Sequence, residues 1–386
     1  MSRTASRLIG LRESIIRDMT RLAIKHQAIN LAQGFPDFPP PPEILAAAHQ
    51  AIDDGLNQYA ITWGTRELRQ AVSTYLADWY NLSYDPDQHI TITCGVSEAI
   101  IDAVMGIVNP GEELIIIEPF HENYMAAAAF AQAKTIYYPL EPPAYALDLE
   151  RLRQCFSANT KAILFNSPHN PTGRVFTRAE IEGVAELCRE FDVIAITDEI
   201  YDHITYDGRE HIPMATLPDM AERTITIGGL GKTFAVTGWR LGYACAPEPY
   251  STALRTVHDF TTICAPTPLQ HAAAAALQLP ASFYEELRAG YATRRARMMA
   301  ILDRYGFAAE APEGAYYVMS DFDAWGFKGD SHQFSTYLTT EVGVAVVPGN
   351  SFYVTSGIAE RTIRWAFAKS SETFDQVEAR LAKFHR

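Results

Sequence analysis

A chain of 386 residues is longer than a single core usually supports, so two lobes are expected. Its 48% hydrophobic and 20% charged content is that of a globular protein, and a net charge of -14 with no Lys/Arg run argues against nucleic acid or an anionic membrane as partner. Five cysteines (Cys94, Cys155, Cys188, Cys245, Cys264) show neither disulfide nor metal spacing, so no metal is expected and a reducing cytoplasm fits best.

The first residues, Met1 to Arg7, lack the apolar core of a secretory leader, and no apolar run reaches the length of a membrane span. Residues 10–27 read as a helix. Prolines at 36 and 39–42 then forbid one, which makes this stretch a stiff surface strap. Residues 43–55 read as a short helix, and residues 66–80 as an amphipathic one carrying Leu68, Val72, Tyr75, Leu76 and Trp79 on one face. From there apolar β-branched runs at 90–93, 114–117, 162–165, 193–196 and 224–227 alternate with helical stretches such as 98–108 and 178–190. That alternation predicts an α/β fold: a mostly parallel sheet covered by helices on both faces, forming a large domain over 41–284. A long helix over 282–305 and strands near 316–319, 344–347 and 362–367 predict a smaller α+β domain from 1–40 and 285–386.

In such sheets ligands sit beyond the carboxyl ends of the strands. Here those ends carry Cys94-Gly-Val-Ser97, Glu118-Pro-Phe-His-Glu-Asn-Tyr124, Asn166 to Gly173, Asp198-Glu-Ile-Tyr201 and the glycine-rich turn around Lys232. A lysine between small residues in a crowded turn can lose its proton and attack a carbonyl, and Arg240 supplies a cationic neighbour suited to phosphate. Alone, that lysine reads as a solvated loop residue, Asp198 as a helix cap, Tyr201 as packing and Asn170 as part of a turn. Together an amine, a buried carboxylate, two donors and a helix start suited to an anion match the shape of pyridoxal phosphate.

The chain resembles the fold type I, class I/II pyridoxal-phosphate aminotransferases, in the kynurenine, glutamine and methionine branch, with the aspartate-aminotransferase-like architecture. The resemblance rests on Gln33 to Phe38, Tyr59 with Gly64 and Leu68-Arg69, Asn170-Pro-Thr-Gly173, Asp198-Glu-Ile-Tyr201, Gly231 to Phe234 with Thr237 to Arg240, and Ile363 to Lys369, all in the family's order. It implies that Lys232 holds the cofactor covalently and moves the substrate Cα proton. Asp198 pairs with the ring nitrogen, Tyr201 and Asn170 with the ring hydroxyl, and Val96, Ser97 and Arg240 hold the phosphate. His121 lies on the ring. Tyr59 reaches the neighbouring subunit of a homodimer, Arg364 grips the substrate carboxylate, and Gly34, Phe35 and Tyr124 complete the substrate site. The implied reaction moves an amino group from an L-amino acid to a 2-oxo acid.

Two departures stand out. Gly229 occupies the place of a phosphate-binding serine, and His121 that of a stacking aromatic. An imidazole can stack or donate a proton, so a pyridoxal-phosphate lyase, oxidase or decarboxylase on the same fold is the alternative. A ligand-sensing regulator is disfavoured by the acidic balance and by the presence of both Lys232 and Arg364. Phe35, Trp63 and Tyr124 point to an apolar, aromatic, methionine- or glutamine-like substrate. No second arginine can be assigned to a distal carboxylate, so aspartate ranks lower.

Overall fold

The computed structural model describes residues 5–11 and 13–384. Residues 1–4, four of the seven read for a leader, lie outside them. The chain begins with α1 (Ile15–His26), β1 (Ile29–Asn30), α2 (Pro42–Asp53) and α3 (Arg66–Tyr80). It continues through β2 (Ile90–Thr93), α4 (Val96–Ile107), β3 (Glu113–Glu118), α5 (Asn123–Ala131), β4 (Lys134–Pro139), α6 (Leu149–Arg153), β5 (Thr160–Asn166), α7 (Arg178–Glu190), β6 (Ile194–Asp198), β7 (Thr224–Gly229) and β8 (Gly242–Cys245). Next come α8 (Tyr250–Thr261), α9 (Thr267–Leu277) and α10 (Ala281–Arg304). The carboxyl-terminal part holds β9 (Tyr317–Asp321), α11 (Ser331–Tyr337), β10 (Val344–Ala345), β11 (Val347–Pro348), β12 (Thr362–Ala366) and α12 (Ser371–Leu381).

The apolar runs become strands because both their faces are covered. Along β3, Leu114 and Ile116 pack with Ala99, Ala103 and Val104 of α4, whereas Ile115 and Ile117 pack on the other side with Ile181, Val184 and Leu187 of α7. A strand buried on both faces needs no polar alternation, which is why it reads as a continuous apolar run. The seven-stranded sheet has the order β2-β8-β7-β6-β5-β3-β4. Only β8 runs against its neighbours, so the carboxyl ends of β2, β3, β5, β6 and β7 share one edge. The aspartate-aminotransferase-like architecture expected from the resemblance is therefore present.

Local signals account for the boundaries. The helix expected over 10–27 starts at Ile15, where the Ser14 side chain caps the Arg17 N–H, and Gly10, Leu11, Glu13 and Ser14 instead line the cavity described below. The helix expected over 98–108 starts at Val96, which brings Val96 and Ser97 into its first turn. The run 344–347 divides between two sheets: β10 pairs parallel with β1, and β11 pairs antiparallel with β12.

Beneath α4 lies a buried titratable group. Asp102 and His258 have no exposed side-chain surface, and His258 Nδ1 stands 3.2 Å from Glu98 Oε1 and 3.7 Å from Asp102 Oδ2. Neither Asp102 oxygen has a hydrogen-bond partner among the described residues. Burial, reinforced by the Glu98 charge and opposed by His258, pushes the Asp102 carboxyl up to about 8. A folded pKa raised this far contributes stability that is complete below the ordinary carboxylate range and is lost as pH rises through about 8. Asp102→Asn copies the protonated form. In urea denaturation the variant should gain on the parent by about 1–3 kcal/mol between pH 6 and pH 9. Equal losses in both proteins would count against the assignment.

Candidate active site

One cavity of about 1230 Å³ opens at the shared strand edge. Of the residues predicted from sequence, Gly34, Phe35, Val96, Ser97, His121, Asn170, Asp198, Tyr201, Lys232, Arg240 and Arg364 all line it. They arrive from seven separated stretches of chain because each follows a strand end or belongs to the strap and β12.

Lys232 sits in the turn after β7, and its Nζ donates to the Gly34 carbonyl at 2.8 Å, between the rings of Tyr201 and Tyr316. Burial lowers its proton affinity, Arg364 and Arg240 lower it further, and the Tyr317 hydroxyl and Asp198 oppose them. An amine so placed gives up its proton more readily than a solvated one.

Asp198 ends β6 with its carboxylate buried. It accepts from Tyr124 Oη at 2.7 Å and from the Ile200 N–H at 3.3 Å, yet burial still pushes it up to about 6. Tyr124 therefore does not form part of the cavity wall, as a substrate contact would. It stands behind Asp198 and orients it. The periodicity of α5 carries no sign of this, because the partner lies on another strand.

Arg364 is buried in β12, donating to Asn170 Oδ1 at 3.0 Å and to the Ala32 carbonyl at 2.5 Å, with its guanidinium over the Tyr317 ring at 4.3 Å. Its Nε has no hydrogen-bond partner among the described residues. Tyr317, unread from sequence, also meets Tyr201 hydroxyl to hydroxyl at 3.0 Å. A Cβ at Gly34 would lie 1.8 Å from the Tyr317 hydroxyl, so only glycine lets the strap approach this close. The strap is held carbonyl by carbonyl: Ala32 by Arg364, Gly34 by Lys232 and Tyr316, and Phe35 by Lys369 at 3.0 Å.

At the other end of the cavity α4 points its first turn inward, and Gly95 precedes it with φ 81°. A Cβ at Gly95 would meet Arg240 Nη2 at 2.6 Å, so the glycine admits that guanidinium against the helix start. Arg240 itself is tethered to the Thr237 and Cys94 carbonyls at 3.2 and 3.4 Å. Free N–H groups, a helix dipole and a guanidinium form an anion cradle. At Gly229 a Cβ would lie 2.7 Å from Ile200 Cδ1, so the serine expected there would need the tip of that side chain to move aside.

His121 is half-buried, and its ring is pushed down to about 3 by burial and then by the charges of Lys232, Arg364 and Arg17. At neutral pH it is a flat, uncharged ring rather than an acid. Tyr59 is 79% exposed and stands away from the cavity of its own chain. Trp63 is likewise absent from the wall and lies under the Arg255 guanidinium at 5.0 Å.

The aminotransferase class I and II family model matches residues 26–381. The chain belongs to that family. It is 32% identical to kynurenine–oxoglutarate transaminase 1 of Homo sapiens over 412 residues, covering 98% of each chain. Among solved structures it is similar to N-succinyldiaminopimelate aminotransferase from Mycobacterium tuberculosis, with a TM-score of 0.96 and 36% identity over 99% of this chain and 100% of that one. YbdL from Escherichia coli, which has a methionine aminotransferase function, gives a TM-score of 0.94 and 31% identity over 99% and 100%. The protein is an aminotransferase.

Proposed function

We propose that the protein is a pyridoxal-phosphate-dependent aminotransferase that takes the amino group from an L-amino acid with an apolar, aromatic, methionine- or glutamine-like side chain and delivers it to a 2-oxo acid. The observation that carries this reading is the meeting of the Lys232 amine, the buried Asp198 carboxylate and the Arg364 guanidinium on one cavity wall. Catalysis and recognition are both provided for.

The donor set fits the cofactor: a carboxylate awaiting a cation, an anion cradle at the start of α4, and an amine with no carboxylate partner. Pyridoxal phosphate supplies, when bound, an aldehyde and an electron-withdrawing ring. Asp198, held by Tyr124, would face the ring nitrogen and favour its protonated form. Val96, Ser97 and Arg240 would hold the phosphate, Tyr201 and Asn170 the ring hydroxyl, and His121 the ring face. Lys232 would anchor the cofactor and would afterwards carry the proton taken from substrate Cα. Arg364 holds the substrate carboxylate with a rigid fork, leaving Asn170 and Ala32 for it. Phe35, Ile16 and Tyr353 give the side chain apolar surroundings, and the strap excludes water.

An uncharged His121 favours transfer over the proton-donating lyase or decarboxylase alternative. The exposed Tyr59, with Phe260 at 86% exposure, supports a homodimer in which Tyr59 serves the neighbouring site. We take the working unit to have lobes at 41–284 and at 1–40 with 285–386. None of the helices among the described residues is long and apolar enough to cross a membrane, and a cytoplasmic site of action suits the unpaired cysteines.

A screen of the twenty L-amino acids against pyruvate, 2-oxoglutarate and glyoxylate tests the reading. New amino acid should form one for one with consumed 2-oxo acid, with methionine or aromatic donors ahead of aspartate. Ammonia released without an acceptor would overturn it.

A further inference from the structure

The Glu98, Asp102 and His258 cluster beneath α4 has no part in the proposed reaction, and none of the three lines the strand-edge cavity. One ligand atom from each lies within 4.8 Å of those of the other two. Asp102 and His258 are wholly buried, whereas the Glu98 side chain is 11% exposed and gives an ion its way in. Both Asp102 oxygens lack a hydrogen-bond partner among the described residues, and His258 Nδ1 faces the two carboxylates outside hydrogen-bond geometry. An imidazolium paired with Glu98 would still leave Asp102 unsatisfied, and a buried carboxyl without a partner is costly.

The orientation of the ring is set from outside. His258 Nε2 lies 3.0 Å from the Thr62 carbonyl, which can only accept, so the proton is on Nε2 and the lone pair of the neutral ring is on Nδ1. A carbonyl on the far nitrogen is the usual support of a metal-ligating histidine. Nδ1 stands 3.2 Å from Glu98 Oε1 and 3.7 Å from Asp102 Oδ2. Ligands about 2.0–2.2 Å from a tetrahedral ion are roughly 3.3–3.6 Å apart, so these spacings need little adjustment. Two carboxylates also cancel the charge of a divalent ion, the condition for burying it.

We propose that Glu98, Asp102 and His258 bind a structural divalent transition-metal ion, zinc being the one that an imidazole and two carboxylates at tetrahedral spacing suit. The fourth position falls to water or to the Thr262 hydroxyl, which meets Glu98 Oε1. The cysteine spacing argues against a thiolate site, and this one uses no thiol. The ion would join α4 to α8 and, through His258, to the segment of Thr62. Glu98 Oε2 accepts the Cys94 N–H, and the Cys94 carbonyl accepts from Arg240 at 3.4 Å, so the site is linked to the anion cradle. Asp102 carries its proton in the metal-free chain, and the ion takes the proton's place.

The test titrates zinc or cobalt into holoenzyme that has been treated with a chelator and freed of it. Calorimetry should show one zinc per chain, and free zinc at about 100 times Kd should raise the melting temperature by roughly 2–4 °C. Cobalt should give the visible absorbance of a four-coordinate ion. Asp102→Asn keeps the shape of the protonated side chain and removes a ligand charge. It should weaken zinc binding more than about 100-fold, beyond the 10–100-fold cost of losing an outer-shell partner. His258→Gln should do the same. In Cys94→Ser, which removes a thiol that the charges of Glu98 and Asp102 reach, binding should stay that of the parent. No uptake by the parent, equal uptake in parent and Asp102→Asn, or uptake lost in Cys94→Ser overturns the proposal.

Discussion

Lys232→Ala should lose turnover by on the order of 10²–10⁴-fold or more, the range spanned by removing a positioned proton carrier, and should lose covalent attachment of the cofactor as well. The fold should survive. The Gly34 carbonyl that Lys232 engages also accepts from Tyr316 Oη at 2.9 Å, so no buried acceptor is left unpaired. Removal of a buried amine whose proton affinity is already depressed relieves a desolvation cost. Steady-state rates, borohydride trapping of the cofactor on the chain and a thermal melt separate the effects. Full turnover in this variant would remove the central claim about the site, whereas a lowered melting temperature with no other change would reassign Lys232 to a structural role.

Asp198→Asn is expected to have the second large effect. Breaking a buried pair by neutralising one partner costs about 3–5 kcal/mol, which is roughly 10²- to 10⁴-fold in rate if the loss falls on the transition state. The variant should keep its cofactor through Lys232 and lose turnover. The pH dependence has a definite sign. Burial raises Asp198 to about 6, against the pull of Tyr124, the Ile200 N–H and Lys232. A group raised in this way contributes stability that is present below the ordinary carboxylate range and is lost as pH rises through about 6. A proton there competes with any cation the cavity receives, so cofactor affinity should fall as pH drops below about 6. In Asp198→Asn that fall should vanish. Fluorescence titration with the cofactor at pH 5 and 7.5 reads both, and an identical pH profile in the variant would contradict the pairing.

The pattern of elements was legible in the sequence where its causes are local. Two-sided burial writes β3, β5 and β6 as unbroken apolar runs, and the Thr177 and Glu180 capping box opens α7 at the residue expected. Strand β8 escaped notice because four residues beside a glycine-rich motif carry no periodicity of their own. The same limit holds in the site. Lys232, Asp198 and Asn170 follow strand ends, and a topological rule is enough to gather them.

By itself the sequence determined the order of strands and helices, the edge at which their ends meet, and the residue types able to capture an aldehyde and a carboxylate, because these follow from nearest-neighbour periodicity and turn chemistry. The tertiary structure alone decided that Tyr124 orients Asp198 across 74 residues, that Tyr317 braces Arg364 and Tyr201, that a Cβ at Gly229 would press on Ile200, and that Arg17 lines the cavity. These are contacts between segments far apart in the chain. Their energies depend on burial and on the charges nearby, quantities that exist only once the segments have packed.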